Sequence, residues 1–334
     1  MQISKEKSEL IKGIAIVMML FHHLFGYPSR IASNIEVQHL FESFDIEFNV
    51  GGFCKICVPI FLFISGYGFS SRLKDGVGYL YVVGELKSIY FSYWIVLAIF
   101  LSIGFVFVKG EKYTLNMMSL LGDVSGLTSN YNDEWWFFKL YVMNLLALPV
   151  LLKIKSNYLL ISTIPMMLVG KFFFVYGGAP QFIVEFLVSI FPFAAGLVFG
   201  RVAGGVEDSK IISSGINKIS LINPFILLVI SIIAYKFGKT MGLMLASPLF
   251  VIFLCRITDR VKGVSENVLR SLGRHSLYMW LTHSFYCYYF TQEFIYYPKY
   301  PVVILVWLVA ISYVTSIIIS YFERGIYRAL ALIK

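Results

Sequence analysis

Residues 11–27 read IKGIAIVMMLFHHLFGY, a greasy run that holds two adjacent imidazoles, His22 and His23. About 20 apolar residues suffice to cross a bilayer. Ionisable groups inside such a segment are expensive unless they perform a function or are shielded. Whether the run is a membrane span therefore decides both the fold and the meaning of the two histidines.

The rest of the chain repeats the pattern. Of its 334 residues, 58% are hydrophobic and 14% charged, against about 25% charged in a soluble domain. Mean hydropathy is +0.76. Ten apolar runs are centred near residues 10–26, 51–70, 88–108, 135–152, 157–175, 181–200, 219–236, 240–257, 273–292 and 301–322. The predicted fold is an all-α integral membrane bundle of about ten transmembrane helices. It forms a single domain over residues 1–334, with no appended soluble domain. The first run has basic flanks like a signal peptide, but HHLFGYP offers no small residues for cleavage, so it reads as an uncleaved span.

The net charge of +9 is distributed by topology. With ten spans and the N-terminus inside, the inner segments hold 19 of the 28 basic residues, including Lys5, Lys7, Lys12, Arg72, Lys87, Arg201 and Arg324. Seven fall outside, Arg30, Lys109 and Lys112 among them, while Lys55 and Lys139 lie within spans. This positive-inside bias places both termini in the cytoplasm and argues against a nucleic-acid partner. The cysteines, Cys54, Cys57, Cys255 and Cys287, sit in or beside apolar runs. Cys54 and Cys57 match C-x-x-C, but no second pair completes a metal site, so they read as small apolar residues one turn apart. No metal is expected.

The outer segments 27–50 and 109–134 carry eight acids against three bases. Within the first, LFESFDIEF (40–48) alternates apolar and acidic residues, as in a strand, an amphipathic interfacial piece or a solvated loop. The inner segment 71–87, SRLKDGVGYLYVVGELK, mixes bases with aromatics and is placed on the inner leaflet.

Helical geometry separates the two histidines. Successive residues point about 100° apart, so the rings cannot share one target. Lys12 precedes His23 by eleven residues, close to three turns, which puts both on one face about 16 Å apart along the axis. A face with a cation at its mouth and an imidazole deep in the span should line a polar cavity. Imidazole suits proton transfer near neutral pH and can also act as a nucleophile. His23 is therefore the leading catalytic candidate. His22 is the second, with a structural bond to another helix as its alternative. His283, within SLYMWLTHSFYCYYF (276–290), is a further cavity candidate. Lys139 and Glu185 either pair across the bundle or, for the lysine, snorkel to the outer interface.

Three segments together resemble the membrane-bound acyltransferase family 3, integral-membrane O-acyltransferases that modify surface polysaccharides and related glycans. Lys12-Gly-Ile-Ala through His22-His23 is similar to the family's opening helix, in which a basic residue precedes a key histidine by eleven positions. PIFLFISGYGF (59–69) resembles the Phe-Phe-x-x-Ser-Gly-Phe run that closes helix two. WWFFKLYVMNLLALP (135–149) and LGRHSLYMWLTH (272–283) are similar to later Trp-Phe and Ser-Leu-x-x-x-x-x-His segments. Two departures stand out. Lys12 replaces an arginine and so lacks its planar fork, and ELKSIYFSYW (85–94) lacks the proline and second base that usually open helix three.

The resemblance implies an acyl-CoA donor, most simply acetyl-CoA, arriving from the cytoplasm and held by Lys12, Arg72 and Lys87. Ser65-Gly66 either allows close approach of the donor or packs helices together. His23 would serve as general base or transient acyl carrier. Glu134, Trp135 and Trp136 fall on the acceptor side, where the tryptophans either stack on a sugar or form an aromatic belt. The implied location is a bacterial plasma membrane. The partners are membrane lipid and a glycan or lipid-linked glycan, with a second copy of the chain or polysaccharide-assembly proteins as further candidates. Two other classes compete. A transporter or flippase would use Lys55, Lys139 and Glu185 as a path, and a non-catalytic export subunit would tolerate loss of His23.

Overall fold

The computed structural model describes residues 2–39, 45–72, 78–205 and 210–332; the side chains of 71–72 and 330–332 lie outside that description. Among the described residues the regular elements are helical, with no strand. The α-helices are α1 (Lys5–Phe25), α2 (Ile46–Phe53), α3 (Cys57–Arg72), α4 (Tyr79–Ile103), α5 (Met117–Val124), α6 (Trp136–Leu151) and α7 (Ser156–Tyr176). They continue with α8 (Gln181–Ala203), α9 (Lys210–Ser220), α10 (Pro224–Thr258), α11 (Val264–Ser284), α12 (Gln292–Tyr296) and α13 (Pro301–Leu332). Residues 40–44 of LFESFDIEF, and 73–77 of the inner segment with Lys74, lie outside the described residues. From Ile46 onward the first of these stretches is helical, not extended.

Among the described residues, seven helical stretches are long and apolar enough to cross a membrane: α1, α2 with α3, α4, α7, α8, α10 and α13. Large apolar side chains stay exposed along them, such as Ile161, Leu168 and Phe172 on α7 and Val306, Val314 and Ile318 on α13. A soluble surface does not carry belts of this kind, which lipid matches. The expected run at 135–152 appears as the sixteen-residue α6. The run at 273–292 falls in α11 and the π turn Phe285–Phe290 that follows it.

The expected seventh and eighth runs share one element, the 35-residue α10. Straight, it would measure about 52 Å, well beyond the roughly 30 Å of hydrocarbon. Lys239 breaks it, with φ 49° and ψ −128°. A Cβ added at Gly242 would overlap the carbonyl of Ala234, eight residues back and about 12 Å away in an unbroken helix. The chain therefore reverses at Lys239, and its two arms lie against each other.

Contacts gather into two units. The first comprises Met1–Ala15, Lys55–Glu85 and Leu140–Gly273; the second comprises Ile16–Cys54, Leu86–Lys139 and Arg274–Lys334. In the first, α8 packs against α3 and α7. Its Gly196-x-x-x-Gly200 pattern is the reason for the close approach to α3, since missing side chains let backbones meet. A Cβ at Gly196 would overlap the Phe63 carbonyl, and one at Gly66 the Phe193 carbonyl. Gly66 is thus a helix-packing residue. Arg201, near the end of α8, donates to the carbonyls of Leu151 (3.1 Å), Leu152 (2.8 Å) and Ile154 (2.6 Å). Its guanidinium satisfies the open carbonyls that every helix leaves at its C-terminus.

The second unit has an aromatic core. Tyr93 and Phe138 stack 4.2 Å apart, Trp135 meets Tyr93 edge-on, and Phe100 stacks on Phe285 at 4.5 Å. Tyr93 donates to the Asp123 carbonyl (2.8 Å) and Tyr296 to the Leu24 carbonyl (2.7 Å), so the buried hydroxyls are matched.

If backbone contact at α8 holds the first unit together, Gly196→Ala costs about 1–3 kcal/mol through overpacking. Gly215→Ala on α9, where an added Cβ meets nothing within 4 Å, is the control. Thermal unfolding in detergent should show a lower midpoint for Gly196→Ala alone; equal midpoints would refute the packing account.

Candidate active site

Helix α1 runs unbroken from Lys5 to Phe25, so the eleven-residue register between Lys12 and His23 holds along it. The two histidines at its end have different surroundings. His22, 5% exposed, places Nδ1 2.7 Å from the Gly51 carbonyl. A carbonyl only accepts, so His22 donates there. Gly51 is where α2 meets the end of α1: a Cβ there would come within 2.7 Å of Gly26 N and the Phe25 carbonyl carbon. His22 thus ties α1 to α2.

His23 faces chemistry instead. Its Nδ1 lies 3.5 Å from Glu134 Oε2 and 3.3 Å from the Tyr288 hydroxyl. Tyr288 donates its hydrogen to the carbonyl of His23 itself, at 2.5 Å. Its oxygen can then only accept from the ring, so neutral His23 carries its hydrogen on Nδ1. Nε2 remains as the basic nitrogen.

Glu134 is 6% exposed and belongs to the 3₁₀ turn Asp133–Trp135. Asn132 starts that turn by accepting the Glu134 amide at 3.1 Å, the usual work of an N-cap side chain. Asn132 is in turn held by reciprocal bonds with Ser284 (2.8 and 3.0 Å). The other carboxylate oxygen, Oε1, accepts from Arg30 Nη1 at 2.5 Å. Arg30 lies 4.2 Å over the Tyr288 ring, and Gln292 holds its backbone carbonyl at 2.8 Å. Burial alone would weaken the Arg30 cation, but the charge and hydrogen bond of Glu134 prevail and hold its pKa above the ordinary value. At the rim, Asp133 accepts from Lys112 (3.0 Å) and from the Tyr289 hydroxyl (3.2 Å).

His283, with none of its surface exposed, sits beside His23 with ring centroids 4.7 Å apart. Its Nδ1 donates to the Trp280 carbonyl at 2.7 Å. The π turn that follows α11 inserts an extra residue into the helical path, a feature that recurs at functional sites. It supplies Tyr288 and Tyr289.

The second unit thus brings together His23, Glu134 and His283 among the residues expected from sequence, with His22 adjacent but committed to Gly51. Glu134, expected on the acceptor side, is also the carboxylate next to His23. Trp135 departs from expectation. It is 1% exposed and donates Nε1–H to the Leu281 carbonyl at 3.1 Å, so it has no face to offer a sugar and no place in an interfacial belt. Trp136 is half-buried beside Phe137. Lys139 donates to the Leu127 carbonyl at 3.2 Å, and in the other unit Glu185 accepts from Gln181 at 2.8 Å. Of the expected donor residues, Lys12 and Ser65 are half-buried in the first unit and Lys87 is exposed in the second. The side chain of Arg72 lies outside the described residues.

Sequence reasoning did not single out Arg30, Tyr288, Asn132 or Ser284. Arg30 read as one loop base among several. An aromatic run such as FYCYYF gives no hint of which ring will face the imidazole.

No curated protein and no solved structure matches the chain. The family model of an acyltransferase domain, acyltransferase family 3, matches residues 6–322, nearly the whole chain. Its apolar helices and the match agree on a membrane acyltransferase: the chain belongs to acyltransferase family 3.

Proposed function

We propose that this protein transfers an acyl group, most simply acetyl, from cytoplasmic acyl-CoA to a hydroxyl of a cell-surface polysaccharide or lipid-linked glycan. In this reading it is a multi-pass protein of a bacterial plasma membrane, with ten passes and both termini in the cytoplasm. The observation that carries the proposal is the buried pair of His23 and Glu134, 3.5 Å apart with Arg30 on the far carboxylate oxygen. An imidazole whose Nδ1–H faces a fixed carboxylate is held in one tautomer and one orientation, the arrangement that general-base hydroxyl activation needs.

The step balances on His23 alone. The acceptor O–H breaks as its proton passes to Nε2, and the oxygen bonds to the thioester carbonyl carbon. The C–S bond then breaks, and His23 returns the proton to the departing sulfur, giving the ester and free CoA thiol. Glu134 stabilises the imidazolium in between, and Arg30 keeps Glu134 in place. The basic residues Lys12, Arg72 and Lys87 are assigned to the anionic donor. Asp133 with Tyr289, and half-buried Trp136, are assigned to the acceptor, because carboxylates and aromatic faces suit sugar hydroxyls and rings. The base role is favoured over a covalent acyl-histidine because the carboxylate beside Nδ1 matches the imidazolium that forms when Nε2 takes the proton.

Label transfer from radiolabelled acetyl-CoA, in membranes with matched protein levels, tests this. His23→Ala should lose about 10²- to 10⁴-fold in rate. His22→Asn, which keeps an N–H for Gly51, should stay near wild type. Transfer by His23→Ala at the wild-type rate would remove the base from the mechanism. In the same assay Glu134→Gln should lose about 100-fold or more, since an amide neither orients nor stabilises the imidazolium as a carboxylate does. An active Glu134→Gln protein would reduce Glu134 to a structural ion-pair partner of Arg30.

A further inference from the structure

The segment between α4 and α6 reads from sequence as an outer loop, yet its charges stand at its ends. From Tyr113 to Tyr131 the sole charged residue is Asp123. Helix α5 occupies the middle. Helical geometry puts its Met117, Met118 and Leu121 within about 100° of one another, with Asp123 on the opposite side. Each of those apolar side chains, and Leu127 beyond them, is more than half exposed, whereas Asp123 is wholly buried.

The neighbouring span fixes the depth of this helix. Tyr79–Val108, which contains α4, is a 30-residue stretch apolar enough to cross a membrane. It measures about 45 Å against roughly 30 Å of hydrocarbon. The chain leaves it at Val108 and packs back at once, since a Cβ added at Gly104 would overlap the Tyr113 ring. The far end of α5 meets α4 much lower. Tyr93 donates to the Asp123 carbonyl (2.8 Å), Trp94 Nε1 to that of Val124 (2.8 Å) and Tyr90 to that of Ser125 (2.7 Å). Tyr93 and Trp94 stand at the middle of the 30-residue stretch, and Trp94 is about 21 Å along the helix from Val108. The segment therefore descends beside α4 and returns.

Its returning backbone is matched by the protein itself. The Gly122 carbonyl accepts from the Ser125 hydroxyl (2.7 Å), and that of Leu127 from Lys139 (3.2 Å). The Asp123 carboxylate gathers the Thr128 hydroxyl (2.5 Å), the backbone and side-chain N–H groups of Asn130 (2.9 and 3.1 Å) and the Tyr131 N–H (2.9 Å). Irregular backbone at membrane depth persists only where such partners satisfy it.

We propose that α5 is seated within the bilayer, the face formed by Met117, Met118 and Leu121 covered by lipid hydrocarbon. That occupant continues the lipid-facing surface of the α4 span, where Ile103, Val106 and Phe107 are exposed just before the segment begins. The turn that presents Glu134 hangs from this seat. Tyr131, held by Asp123, adjoins Asn132, which caps the turn, and Trp135 in the turn meets Tyr93 edge-on at 5.0 Å. Lipid against α5 thus sets the depth of the carboxylate. Nothing in this placement depends on acyl transfer.

Spin-label accessibility tests it without any turnover. The free cysteines, Cys54, Cys57, Cys255 and Cys287, are all buried, so a nitroxide reagent is directed to an introduced surface thiol, with the unsubstituted chain as background. Met118→Cys and Leu121→Cys are labelled in the full chain, reconstituted into vesicles of phosphatidylethanolamine and phosphatidylglycerol. Relaxation of each label by dissolved oxygen, which concentrates in hydrocarbon, is compared with relaxation by a water-soluble nickel chelate. Ile318→Cys, exposed on the spanning helix α13, is the lipid standard, and Ser33→Cys, exposed in the stretch after α1, is the water standard. The expected oxygen-to-nickel ratio at 118 and 121 is close to that of Ile318→Cys and several-fold above that of Ser33→Cys. A ratio like that of Ser33→Cys would overturn the proposal, because α5 would then lie in water. An immobilised label screened from both reagents would overturn it too, showing that face covered by protein, such as a second copy of the chain. Met117→Cys replaces either variant that does not accumulate.

Discussion

A carboxylate placed among aromatic and aliphatic side chains has to be matched, and Glu134 imposes that requirement on its unit. At 6% exposed, it is deprived of most of the water that would stabilise its charge, and an unmatched ion there would be strongly destabilising. Arg30 matches one oxygen, and His23 faces the other. Each match recruits further groups. Arg30 rests on the Tyr288 ring and is fixed through its backbone by Gln292. Tyr288 spends its hydrogen on the His23 carbonyl. Asn132 and Ser284 hold the turn that presents the carboxylate. Three stretches of chain, near residues 22–30, 132–135 and 283–292, meet because one ionised group needs all of them.

The same constraint explains why two adjacent histidines do different work. Helical geometry turns their rings apart, and only one direction leads to the carboxylate. His22 meets the bare backbone of Gly51 and becomes a tether between α1 and α2. His23 meets Glu134 and Tyr288, which set the position of its hydrogen and leave Nε2 basic. The tether and the base depend on each other, since a loosely held end of α1 would let His23 drift from its partners. Proton transfer is sensitive to shifts of that size.

Periodicity made part of this legible. Eleven residues are close to three turns, so the shared face of Lys12 and His23 follows from 3.6-residue geometry without any tertiary knowledge. The division of α10 into two apolar runs was also readable, because Lys236 and Lys239 interrupt the hydrophobic pattern where the chain reverses. The partnership between His23 and Glu134 was not, since 111 positions separate them and no local pattern encodes the pairing. Arg30 looked like a solvated loop base because its value lies in the carboxylate it meets. The π turn hid Tyr288, for an inserted residue shifts every later side chain off the helical register. Trp135 misled for a related reason: an aromatic beside acids in an outer loop suggests an interface, and only the Leu281 carbonyl that takes its N–H shows it to be core.

The central claim is that His23 and Glu134 operate as one device, and a double-mutant cycle on acyl transfer tests it most directly. Rates are compared for wild type, His23→Ala, Glu134→Gln and the double variant, all at matched protein levels in the same membranes. Residues that act as a unit are grossly non-additive. The account predicts that the double variant is no slower than His23→Ala alone, because Glu134 has nothing to orient once the imidazole is gone. A double variant whose loss equals the product of the two single losses would show that the residues contribute independently, contradicting the account.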